Sequence, residues 1–297
     1  MAEKTKISWT DSTFNPWIGC TKVGPGCDHC YAADLDSRKR WDGGKTHWGA
    51  GVPRYRTSAS NWAQPLRWNA KQEDLRRQGD APPWRVFCAS LADVFDNEID
   101  PFWRRDLWDL IERTPHLSWL LVTKRVGNVL GIMPSKWVSS GFPDHVRILI
   151  TVCNQEEADR DIPKLLALPC KNGISYEPAL EYVNWNRWLM SADEQAAYPV
   201  GFDGEVPRSI EWIIVGGESG PKARPFDLAW ARSTVAQCKD AGTAVFCKQL
   251  GARPVEWVPG WHIDGGGTMM PLSLQDRAGT DPAEWPEDLR IRQFPTT

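Results

Sequence analysis

Short runs of β-branched and other apolar residues alternate along this chain with stretches whose apolar positions return every three or four residues, the pattern of βα units built on a parallel sheet. Six runs read as strands: "WRVFCAS" (84–90), "LSWLLVT" (117–123), "VRILITV" (146–152), "NGISYEP" (172–178), "IEWIIVGG" (210–217) and "AVFCKQ" (244–249). Between them lie helical patterns, "PFWRRDLWDLIERT" with Asp100 as its cap and Pro101 at its start, "EEADRDIPKLLAL", and "DLAWARSTVAQCKDAG" closed by Gly242. A seventh strand near "KISWT" or "PWIGC" completes a full or partial (β/α) barrel with parallel strands, the fold class expected here. The reading makes residues 1–297 one barrel-type domain, interrupted by a basic insertion at 38–71 and finished by an irregular, Gly- and Pro-rich cap at 255–297.

Composition adds limits to this outline. A chain of 297 residues can bury a large core. No stretch approaches the roughly 20 apolar residues that span a bilayer, and "MAEKTKISWT" has no apolar signal core, so a soluble cytoplasmic protein without a membrane partner is expected. Its eight cysteines are then expected as thiols or metal ligands rather than disulfides. The net charge of −3 argues against a polycation, but between Arg38 and Lys71 eight Lys or Arg residues accompany a single acid, Asp42. Aromatic residues interleave with them, and Trp48, Arg54, Tyr55, Arg56, Trp62 and Arg67 are the candidate contacts to nucleic acid, with arginine on phosphates and aromatic rings on bases. The alternative is a lid packed by its tryptophans. Most of the 18 Trp residues are expected to be packing residues.

Polar residues recur where the predicted strands end, the catalytic end of parallel barrels. Ser90 and Asp93 follow the first of the six strands, Thr123, Lys124 and Arg125 the second, and Thr151 and Asn154 the third. Ser175 and Glu177 belong to the fourth, Glu218 and Ser219 to the fifth, and Lys248 and Gln249 to the sixth. Loops are polar in any protein, but Glu177 and Lys248 sit in apolar surroundings where an unpartnered charge is costly.

Within "NPWIGCTKVGPGCDHCYA", Cys20, Cys27 and Cys30 lie in the loop after the first strand. A closed zinc site wants four ligands, and three thiolates leave a position open, as in a four-iron cluster with one free iron. Zinc with a remote fourth ligand is the alternative, and chance clustering a third. The loop resembles that of the radical SAM superfamily, whose cysteines are separated by three and then two residues where six and two are found here. More of the chain, from "WTDSTFNPWIGC" through "SLADVFD", "LLVTKR", "SYEPAL", "IIVGGESGPKARPF" and "FCKQLG" to "WPEDLRIRQFP", resembles the phage-associated three-cysteine-motif family named after gene products thirty-seven and sixty-eight.

That resemblance implies an iron-sulfur enzyme with a [4Fe-4S] cluster on Cys20, Cys27 and Cys30. S-adenosylmethionine would be held by Gly216, Gly217 and Glu218 with Ser90, Asn154 and Tyr31, and an electron donor or another protein would be a partner. Lys124, Arg125, Glu177 and Lys248, from the strand ends, are the candidate catalytic residues, and it is the basic block rather than the resemblance that suggests nucleic acid or a nucleotide as what is modified or repaired. The alternatives are a nucleic-acid-binding protein with a structural iron-sulfur or zinc site, and an iron-sulfur protein of light-driven DNA repair with electron transfer through tryptophan.

Overall fold

A computed structural model describes residues 5–39, 41–79, 81–190, 208–259 and 267–296. Arg40 of the basic block, and residues 260–266 and 297 of the expected C-terminal cap, lie outside the described residues. The chain comprises two compact units. The first runs to Ile150 and takes in Leu168–Asn172, and the second holds Thr151–Ala167 and the chain from Gly173 onward.

In the first unit the parallel strands are β1 (Ser12–Phe14), β4 (Trp84–Cys88), β5 (Leu117–Thr123) and β6 (Val146–Thr151), whose last residue crosses the division. β1 pairs with β4, β4 with β5, and β5 with β6, with Phe14 opposite Cys88, Cys88 opposite Leu121 and Thr123 opposite Ile150. The first strand thus forms at "STF", between the two stretches the pattern offered. "PWIGC" instead supplies β2 (Trp17–Ile18), which pairs antiparallel with β3 (Tyr55–Arg56) and ties the basic segment to the loop after β1. Helices α1 (Tyr31–Lys39), α2 (Ala59–Trp62), α3 (Gln64–Gln78), α4 (Pro101–Glu112), α5 (Val129–Ile132) and α6 (Ser135–Ser140) complete the unit. α4 starts as its sequence dictates, because Asp100 accepts a hydrogen bond from the Phe102 N–H at 2.8 Å and Pro101 takes a position that needs no donor. Phe14 anchors the core, edge-on to Trp62 at 5.6 Å and to Trp119 at 5.8 Å.

The second unit carries α7 (Gln155–Leu166), β7 (Lys171–Tyr176, entering from the first unit), β8 (Trp212–Gly216), β9 (Phe226–Asp227), α8 (Leu228–Ala241), β10 (Ala244–Gln249), β11 (Pro254–Pro259) and β12 (Gly267–Pro271). β8 lies between β7 and β10, parallel to both, while β11 pairs antiparallel with β12 and parallel with β9. α8 is capped by Asp227, which accepts from the Ala229 N–H at 2.9 Å, and ends at Gly242, whose φ of +71° suits a residue without a Cβ. The α/β class with seven parallel strands and flanking helices is therefore as the pattern predicts. Among the described residues β1 has β4 as its one parallel neighbour in the first unit, and β10 has β8 in the second.

Among the described residues ten tryptophans are buried, including Trp9, Trp17, Trp119, Trp185, Trp212 and Trp285, so tryptophan serves mainly as core volume here. Among the described residues no helix is long and apolar enough to cross a membrane.

Candidate functional site

The loop after β4 and the end of β5 converge on one carboxylate in the first unit. Asp93, 5 % exposed, accepts from Thr123 Oγ1 at 2.8 and 3.0 Å, from the N–H groups of Phe95 at 2.9 Å and Lys124 at 3.1 Å, and from Arg125 Nη1 at 2.9 Å. A buried carboxylate needs such a set to remain charged. Arg125 reaches further, with Nη2 2.6 Å from the Thr21 carbonyl and Nη1 3.4 Å from Cys20 Sγ. Beside it, Arg54 is enclosed: its guanidinium bonds Asp96 Oδ2 at 3.1 and 2.8 Å, Thr21 Oγ1 at 2.7 Å and the carbonyls of His47, Gly49 and Val52 at 3.1, 2.9 and 2.8 Å, with Glu98 2.9 Å away. His47 is held in turn by Asp36, through its ring Nδ1 at 2.9 Å and its backbone N–H at 2.7 Å.

These contacts correct the metal assignment. Burial, with the Asp93 carboxylate nearby, pushes the Cys20 thiol up to about 11 against the pull of Arg125, whose Nη1 lies 3.4 Å from its Sγ. Cys27 is buried in a single 3-10 turn, Pro25–Cys27, and Cys30 packs against the apolar cluster of Ile18, Ala32 and Leu91 together with Leu35, Trp48 and Tyr55. Among the described residues no group of three or more His, Cys, Asp or Glu side chains stands where it could hold a metal ion. The donor set does not fit a [4Fe-4S] cluster, and the radical-SAM-like iron-sulfur enzyme, its S-adenosylmethionine cofactor and the structural-metal alternatives are withdrawn. A direct check is alkylation. At neutral pH Cys20 carries about a hundredfold less thiolate than a free cysteine, so peptide mass spectrometry after iodoacetamide treatment is expected to show it reacting correspondingly slowly. Labelling at the rate of a free thiol would contradict the assignment.

The residues expected around a cofactor have other duties. Ser90 is bonded through its hydroxyl to Asn15 Nδ2 at 3.0 Å, and its carbonyl accepts from the half-exposed Tyr31 hydroxyl at 2.8 Å. Asn154 caps α7, accepting from the Glu157 N–H at 2.8 Å, while Glu157 Oε2 reaches back to accept from the N–H of the preceding residue, Cys153, at 2.8 Å. In the second unit a Cβ on Gly217 would stand 2.6 Å from the Leu250 carbonyl oxygen and 2.9 Å from Phe226 Cβ, and one on Gly216 3.2 Å from the Gln249 carbonyl oxygen. These glycines admit neighbouring chain rather than a cofactor. Glu218 is 2.7 Å from the Arg224 N–H and also pairs with that guanidinium, so its carboxylate is directed to the fold's own arginine.

Glu177 and Lys248 do meet, with Nζ 2.7 Å from Oε1 and Ser175 Oγ 3.4 Å from Oε2. Oε1 makes no directional hydrogen bond, so the contact is an ion pair, close but poorly aligned for proton sharing. The ladder explains the meeting: the register of β10 against β8 shifts between Cys247 and Gln249, and such a bulge re-aims the side chain at its centre, Lys248.

Of the expected nucleic-acid residues, Arg54 is sealed in its ion network and Trp48 and Tyr55 pack against the Cys30 cluster. Arg56 lies partly exposed, Trp62 half-buried and Arg67 exposed. The sequence reading missed Asp96 and Glu98 as partners of Arg54, and the Asp36–His47 pair. The signal was available: "DVFDNEID" gathers four acids a short way after the basic block.

By class this is a parallel α/β protein with charged networks at the carboxyl ends of its strands. Residues 4–278 match the model of the family described as a protein of unknown function (DUF5131), and the chain belongs to that family, which replaces the resemblance to the phage three-cysteine-motif and radical SAM proteins. No curated protein and no solved structure matches the chain.

Proposed function

We propose that the protein binds single-stranded nucleic acid through an arginine–aromatic surface of its first unit. The observation that carries this reading is one exposed ring, Phe102, and two half-buried ones, Trp103 and Trp62, set against arginines around the start of α4. Phe102 is 64 % exposed, a state that an apolar ring in water tolerates at a cost, and the Arg105 guanidinium lies 5.3 Å from its centre. Next to it, Trp103 is 5.9 Å from the Arg56 guanidinium, which stacks 4.5 Å over Trp62 on its other contact. Asp106, 2.7 Å from Arg56, fixes that geometry and offsets its charge, so phosphate attraction falls to Arg67 and Arg105. Bases stack on such rings without regard to sequence, and the few cations give a modest dependence on salt.

Fluorescence anisotropy of labelled oligonucleotides tests the proposal. The Arg67→Gln/Arg105→Gln variant is expected to bind more weakly and to flatten the log–log salt slope by about 0.7 per lost phosphate contact. Phe102→Ala is expected to lose roughly 1 to 3 kcal/mol with the slope unchanged. Negligible affinity of the wild-type chain for single-stranded DNA and RNA at low salt would sink the reading.

A further inference from the structure

The second unit has a groove of about 530 Å³ where the loops after β8 and β10 meet the segment that follows β12. Its walls include Gly220, Pro254, Leu272 and Leu274, and two arginines, Arg253 and Arg277, stand on it. Both are exposed, and neither takes part in an ion pair among the described residues; Arg253 donates to the Ala223 carbonyl at 3.3 Å, which leaves most of its donors for a ligand. The one acid on the lining, Asp276, is turned to its own loop, where its carboxylate accepts from Thr280 Oγ1 at 2.6 Å and from the N–H groups of Thr280 at 2.5 Å, Ala278 at 3.1 Å and Asp281 at 3.2 Å. Those bonds hold Asp276 below the usual carboxylate range and shape the turn that presents Arg277.

The groove is pre-formed. The Ala252 N–H donates to the Glu218 carbonyl at 2.8 Å, Leu250 to Gly279 at 2.9 Å, Phe226 to Arg253 at 2.9 Å and Leu272 to Pro254 at 2.9 Å, so all three loops are laced by backbone bonds. Gly251, at φ +77°, allows the closest approach, since a Cβ there would lie 2.6 Å from the Glu218 carbonyl oxygen. Ligands of parallel α/β proteins bind beyond the carboxyl ends of the strands, and β8 and β10 both end here.

From these features we infer that the groove binds a small phosphorylated molecule of about nucleotide size. Two guanidinium groups match a phosphate's charge and its oxygen geometry, the apolar walls suit a ring or alkyl portion, and the volume is that of a small-molecule site rather than a track for a polymer. This site belongs to the second unit and stands apart from the nucleic-acid reading, whose residues are all in the first.

Isothermal titration of the whole protein with ADP, pyrophosphate and adenosine decides the matter. Saturable binding of ADP is expected, with pyrophosphate weaker because it leaves the apolar walls uncovered and adenosine negligible because it lacks the phosphates. The Arg253→Gln/Arg277→Gln variant is expected to weaken ADP binding at least tenfold, and the Arg253→Lys/Arg277→Lys variant to recover part of it. Lys136→Gln, an exposed change in the first unit, is expected to bind ADP as the wild type does. The inference is overturned by an absence of saturable ADP binding to the wild-type chain, by adenosine or pyrophosphate binding as tightly as ADP, or by undiminished binding in the double Gln variant.

Discussion

Arg54→Gln is expected to destabilise the protein by about 3 to 5 kcal/mol, the loss found when one member of a buried ion pair is removed. The side chain of Arg54 is 1 % exposed and that of Asp96 3 % exposed, so neither charge has water to fall back on. Glutamine could not replace the fork: Asp96 would lose two charge-assisted bonds, and the carbonyls of His47, Gly49 and Val52 would lose their donor. Asp96→Asn is expected to cost a similar amount, and the double variant less than the sum of the two, by about 0.5 to 3 kcal/mol, because the partners share one interaction. Urea unfolding followed by tryptophan fluorescence measures all three. Arg67→Gln is the control, expected within about 0.5 kcal/mol of wild type because Arg67 is exposed. Should Arg54→Gln leave stability unchanged and instead flatten the salt dependence of nucleic-acid binding, the guanidinium faces a ligand and the network described here is wrong.

Arg54 also shows where a linear reading of the chain stops. The six strands were legible because a parallel strand is an unbroken apolar run, and "LSWLLVT" and "AVFCKQ" have the bounds the pattern gives them, as Leu117–Thr123 and Ala244–Gln249. α4 and α8 were legible because Asp100, Pro101 and Gly242 mark their ends. The first strand was not, since three residues of "STF" carry too little periodicity to stand out from "KISWT" and "PWIGC" on either side. Charge was the least legible property. Eight cations in a row of 34 residues look like a polyanion surface, yet what decides Arg54 is Asp96, 42 positions away, and spacing says nothing of that meeting. Cysteine spacing misleads for the same reason: "GCTKVGPGCDHC" looks like a ligand set, but Arg125 comes from the end of β5 to take Cys20, and Ile18 and Leu91 close on Cys30. In both cases a residue's neighbours across the fold, and not along the chain, set its chemistry.

Gly19→Ala is expected to cost about 3 kcal/mol or more, from backbone strain and overpacking together. Gly19 has φ +113°, outside the range an alanine adopts easily, and a Cβ there would lie 2.3 Å from the His47 carbonyl oxygen and 2.9 Å from Arg54 Cδ. Neither neighbour can give way cheaply, because the same carbonyl accepts from Arg54 Nη1 at 3.1 Å and the Gly19 N–H is itself bonded to the Leu91 carbonyl at 3.0 Å. Gly51→Ala separates the two sources of cost: its φ is +70° but nothing lies within 4 Å of the added Cβ, so only the conformational cost of about 1 to 2 kcal/mol applies. Combining Gly19→Ala with Arg54→Gln should cost less than the sum of the two, since the first pushes on the carbonyl that the second has already released. Strict additivity in urea unfolding would mean that the segment around Gly19 and the Arg54 network yield independently, and the close packing of the loop after β2 on the basic segment would then not be the constraint that fixes them.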